Sequence, residues 1–152
     1  MTICPKTFAV ALICFISLQL PTVASYDDLK SIGEKYVAFL NEVGQTDTPM
    51  TPDKVAELFA DNCEKIENGT TLFTSAKDIP GQWMSARKAV GQWTIKPLFM
   101  TASSEDNTCT LQIVWKADKL PEHTTMVVLF VDDEGKIIRI REVYNAYKKT
   151  LV

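Results

Sequence analysis

Histidine occurs once in these 152 residues, at His123, and cysteine only four times. No Cys-x-x-Cys pair exists and no second histidine sits at ligand spacing, so neither a structural nor a catalytic zinc site is expected. An excess of one charge is also lacking, with 16 Lys and Arg against 19 Asp and Glu, mixed without blocks. That balance gives no long-range attraction to phosphate backbones or anionic lipid, which argues against nucleic acid as a partner. A long hydrophobic run is missing too. The uncharged apolar stretch from Phe8 to Leu20 falls short of the roughly 20 residues a bilayer-spanning helix needs.

What that stretch does resemble is a secretory leader. Lys6 gives a weakly positive start, Pro21 ends the apolar run, and Thr22-Val23-Ala24-Ser25 supplies the small residues of a cleavage site. The expected organisation is a signal peptide over 1–25 and a single domain over 26–152, secreted or periplasmic, with no stable membrane association after cleavage. Processing removes two cysteines and leaves Cys63 and Cys109. An oxidising compartment permits a disulfide between them, and two buried thiols acting as small apolar residues are the alternative. Asn68-Gly69-Thr70 forms an N-glycosylation sequon, which has meaning only in a eukaryotic source.

The rest of the chain shows two periodicities. Leu29, Ile32, Tyr36, Leu40 and Val43 fall on one helical stripe that stops at Gly44. Thr51-Pro52 predicts an N-cap and first turn for a second helix, with Val55, Leu58 and Phe59 on its buried face. Cys63 to Glu67 alternates, Asn68-Gly69 turns, and Thr70 to Thr74 returns. A third helix is predicted from Ile79 to Val90. Four alternating runs follow, at Trp93–Thr101, Thr108–Lys116, His123–Val131 and Ile137–Tyr147. By parity Trp93, Ile95 and Phe99 share one face of their strand, while Lys96, Leu98 and Met100 share the other. Apolar residues on both faces predict that the sheet meets a second copy in a homodimer. Helices segregated from strands define an α+β domain.

Three stretches carry a family likeness. Lys35-Tyr36-Val37-Ala38-Phe39-Leu40, Leu58-Phe59-Ala60-Asp61-Asn62 and the hairpin from Phe130 to Ile137 resemble phrases of the nuclear transport factor 2-like superfamily. Its ketosteroid isomerase and polyketide cyclase branch is the nearest in pattern. The resemblance implies three helices packed on a strongly curved, mixed, mostly antiparallel sheet that forms a cone with a central pocket. It also implies an inward face made of Tyr36, Leu40, Glu67, Trp83, Cys109, Leu111, Ile113, His123, Thr125, Val127, Ile140 and Tyr144.

On this resemblance, Glu67 takes the place of the isomerases' proton-moving carboxylate and Tyr36 that of their oxyanion-binding phenol. His123 is a further acid–base candidate. The isomerases' second acid, on the fifth strand, is Val127 here, so the catalytic set is incomplete. Leu40, Trp83, Leu111, Ile113, Thr125, Val127, Ile140 and Tyr144 remain as ligand-binding candidates around a small, mostly apolar molecule. No cofactor or metal is called for. Three functions stay open: a binder without chemistry, which leads; an isomerase-, cyclase- or dehydratase-like enzyme with Glu67 as base; and a non-enzymatic interaction module.

Overall fold

The computed structural model describes residues 24–48 and 50–144. The expected leader lies outside them except for Ala24 and Ser25, as does the end of the last predicted strand beyond Tyr144. Helix α1 spans Tyr26–Gln45, and its stripe of Leu29, Ile32, Tyr36, Leu40 and Val43 is buried as the spacing predicts. Ser25 caps it in a reciprocal pair: the serine hydroxyl accepts from the Asp28 N–H, and the Asp28 carboxylate accepts from the Ser25 N–H. Gly33 lets α1 press on the sheet, since a Cβ there would lie 2.6 Å from the Cys109 Sγ. Helix α2, Pro52–Leu58, begins under the Thr51 cap, whose hydroxyl accepts from the Lys54 N–H at 3.3 Å.

Strand β1 runs Phe59–Glu67 and starts four residues earlier than the alternation suggests. Phe59 is therefore the first residue of a strand and not the last of a helix. It pairs with Ile137 and packs edge-on against Tyr36 and Phe39. Strand β2 is Thr70–Phe73, a 3-10 turn covers Ala76–Asp78, and α3 is Ile79–Val90. Strands β3 (Trp93–Ser103), β4 (Thr108–Ala117), β5 (Leu120–Val131) and β6 (Ile137–Tyr144) complete one sheet in the order β2-β1-β6-β5-β4-β3. All neighbours are antiparallel except β1 and β6, which are parallel. Each of the five pairings contains a register shift, and such bulges raise local twist and let the sheet curl around the helices.

One of these shifts overturns the parity expected for β3. Pro97 pairs with Ile113, but Phe99 pairs with Gln112, so Leu98 is an extra residue. Proline has no N–H for the ladder and favours such a break. Beyond the bulge Met100 turns inward against the core, while Phe99 joins Leu98 on the exposed side.

The thiols need a second correction. Cys63 and Cys109 are both buried and both free. Strands β6 and β5 stand between their strands, whereas a disulfide requires Cα atoms within about 7 Å. Burial pushes the Cys63 thiol up to about 12 and the Cys109 thiol up to about 11, so both act as inert apolar groups.

Candidate functional site

The inner half of the cone is filled. Leu40, Leu111, Ile113, Val127 and Ile140 are buried together with Leu129 and Cys109 in one core, and none of the five lines the cavity described next. The cavity expected at the centre opens instead toward the end of the sheet near the β1–β2 turn, with a volume of about 320 Å³. That lies at the small end of the range that ligand sites occupy. Five of the residues expected to face inward meet there: Glu67, Trp83, His123, Thr125 and Tyr144. They are joined by Lys65, Gln82, Trp115 and Glu142, which the sequence reading did not single out as site residues.

Lys65 and Glu142 govern the electrostatics. Lys65 lies on β1 two residues before Glu67, so strand parity puts both side chains on the concave face. Its ammonium is 2% exposed, 3.0 Å from Glu142 and 3.9 Å from Glu67, and it rests 4.2 Å from the centre of the Trp83 ring. Glu142 comes from β6, in register with Val127. The carboxyl missing at position 127 is thus present on the adjoining strand. It takes the Tyr36 hydroxyl as a hydrogen-bond donor at 2.9 Å. On the other side the Tyr144 phenol stands near Glu67, whose carboxylate makes the phenol hold its proton more tightly. The outcome is a chain of polar groups, Tyr36–Glu142–Lys65–Glu67, running from the core to the cavity with Tyr144 beside its end.

Both phenols respond to this setting. Burial and then the Glu142 carboxylate hold Tyr36 well above the ordinary phenol range, and burial, then Glu67 and last Glu142 push Tyr144 up to about 12. Tyr36 is completely buried and its proton is committed to Glu142. It does not line the cavity, so it has no open path to a substrate carbonyl. Its place in this structure is to fix Glu142 from behind.

Aromatic rings form the walls. Trp83 and Trp115 stack at 6.3 Å, Trp115 and His123 at 6.2 Å, and His123 meets Tyr144 at 5.7 Å. The His123 Nδ1 lies 3.1 Å from the Pro121 carbonyl, a geometry in which Nδ1 carries the proton. Trp93, by contrast, is a core residue whose indole N–H donates to the Leu40 carbonyl at 2.8 Å. Three buried polar atoms of cavity-lining residues have no hydrogen-bond partner among the described residues: Gln82 Oε1, Trp115 Nε1 and Thr125 Oγ1. All three are covered from solvent and lie behind the cavity surface, and groups left so cost stability.

The sheet order and helix packing identify the fold as a cone of the nuclear transport factor 2-like, cystatin-like type. No protein-family model matches the sequence, and no curated protein matches it significantly. Solved structures do match in shape. A SnoaL-like family protein from Agrobacterium tumefaciens is 12% identical with a TM-score of 0.62, over 79% of this chain and 99% of that one. An LEH-like epoxide hydrolase from M. tuberculosis is 14% identical with a TM-score of 0.62, over 80% and 86%. The BvnE pinacolase from Penicillium brevicompactum is 14% identical with a TM-score of 0.66, over 85% and 89%. At such identities the likeness shows the fold, and function has to be argued from the site.

Proposed function

We propose that the protein binds a small, flat molecule in the aromatic-walled cavity between α3 and strands β1, β4, β5 and β6. The observation that carries this is the wall of rings from Trp83, Trp115, His123 and Tyr144 standing beside the partly exposed Glu67 carboxylate on one cavity. A flat ring packs against such walls, and a hydroxyl or amine on it finds an acceptor in Glu67. Compared with the mostly apolar lining expected from the sequence, this site is apolar on its walls and charged on its floor. Crystals soaked in 2-naphthol, used as a generic flat probe, test the reading. Density beside Trp115 and Thr125 supports it, and density only at other surfaces contradicts it.

A second reading is acid–base chemistry on the bound molecule. It is favoured by Glu67 and Glu142 held on either side of one ammonium, which fixes the Glu67 carboxylate at the cavity where it can accept a proton from a bound molecule. Glu67 is the member of the pair on the cavity side, and the shape-related epoxide hydrolase and pinacolase are enzymes by name. A substrate turned over by the native chain and not by Glu67→Gln establishes it. Export by the leader over 1–25 belongs to the same proposal on sequence grounds. So does a homodimer, supported by Phe99, Met126 and Val143, which are exposed in adjoining register across the outer sheet face around Gln112. Sedimentation that gives a monomer at micromolar concentration counts against the dimer.

A further inference from the structure

The binding reading can be taken one step further, to the charge and orientation of the occupant. The cavity floor holds one ammonium and two carboxylates, and their exposures are unequal. Lys65 is 2% exposed and Glu142 3%, while Glu67 is 21% exposed. The charge that an incoming molecule meets is therefore a carboxylate. The ammonium lies behind it, already paired with Glu142 at 3.0 Å and covered on another side by the Trp83 ring. The phenols of Tyr36 and Tyr144 add no charge while protonated, and among the described residues the one other titratable group on the cavity wall is His123.

We infer that this cavity takes a flat molecule bearing a hydroxyl or amine, turned toward Glu67, and rejects the analogue that carries a carboxylate at the same place. An anionic end group would have to stand beside Glu67 in a site shielded from water, where like charges repel more strongly than in solution. It could not neutralise Lys65 without displacing Glu142 or Glu67 from it. A donor end group gains the free lone pairs of Glu67 instead. The aromatic walls cover the faces of the same molecule. An amine gains more than a hydroxyl, because the rings attract a cation and Glu67 is its counter-charge.

This inference rests on the binding reading, and one experiment separates the two. Three probes of one shape, 2-naphthol, 2-naphthylmethylammonium and 2-naphthoate, are titrated into the native chain by calorimetry at pH 8. The expected order is ammonium first, naphthol next, and naphthoate at least tenfold weaker than naphthol. Glu67→Gln should shrink the gap between naphthol and naphthoate. Naphthoate binding as tightly as naphthol overturns the charge rule and leaves the site standing. If none of the three binds, the site is overturned and the charge rule with it.

Discussion

The two halves of the cone are built from the same strands and yet obey different rules. Strand β4 carries Cys109, Leu111 and Ile113 into the packed half and Trp115 into the open one. Strand β5 does the same with Leu129 and Val127, then Thr125 and His123, and β6 with Ile140, then Glu142 and Tyr144. Toward one end each inward position is apolar and fully covered. Toward the other, each is polar or aromatic, and several atoms have no partner. The first half supplies stability through burial. The second gives some of it up, which is the usual cost of a site kept ready for a ligand.

The largest effect should come from breaking the charged chain where the halves join. Glu142→Ala deprives both Tyr36 and Lys65 of their acceptor and leaves an ammonium buried without its main partner. A loss of about 3–5 kcal/mol is expected in urea unfolding. Replacing both charges at once, with Lys65→Met and Glu142→Leu, should recover part of it, because no fully buried charge is then left unpaired, while the Tyr36 hydroxyl still lacks its acceptor. A double variant no more stable than Glu142→Ala would show that the pair is not isolated from the rest of the chain.

Next in size is the packed half. Leu111→Ala should cost about 3 kcal/mol, since a fully covered side chain leaves a cavity that its neighbours cannot close. A loss under about 1 kcal/mol would mean that this half is softer than its packing implies.

Alkaline titration separates the halves by a smaller effect. Both phenols hold their protons more tightly folded than unfolded, Tyr144 up to about 12 and Tyr36 above its ordinary range. The unfolded chain releases those protons near pH 10 and the folded chain does not, so stability is complete below pH 10 and falls as pH rises beyond it. Tyr36→Phe should flatten that fall, and an unchanged slope would contradict the Tyr36–Glu142 bond. The thiols give a check within the packed half. With Cys63 pushed up to about 12 and Cys109 up to about 11, neither should react with a thiol reagent at pH 8 until the chain is unfolded, when both should.

Periodicity made the packed half readable. The α1 stripe buried Leu40, alternation put Leu111 with Ile113 and Val127 with Thr125 on shared faces, and the family resemblance turned these and Ile140 inward, although they lie in the core and not around the cavity. Much of the open half was also within reach. Lys65 shares parity with Cys63 and Glu67, and Glu142 with Ile140 and Tyr144, so the alternation that placed their neighbours placed them too. They were passed over because a lysine or glutamate on a strand ordinarily faces water, and only the pairing of β1 with β6 brings these two together. That parallel pairing joins segments more than seventy residues apart and leaves no local signal. Phe99 was misplaced for a different reason: one extra residue after Pro97 inverts every later side chain on the strand.

The most direct test of the contrast is His123→Ala, measured for stability and for binding of 2-naphthol on the same sample. His123 is a half-buried ring on the cavity wall, stacked on Trp115 and outside the packed half, so truncating it should cost under about 1 kcal/mol in urea unfolding while affinity for the probe falls several-fold. A variant that loses stability and binds the probe as well as the native chain would contradict the claim that the open half is held for a ligand.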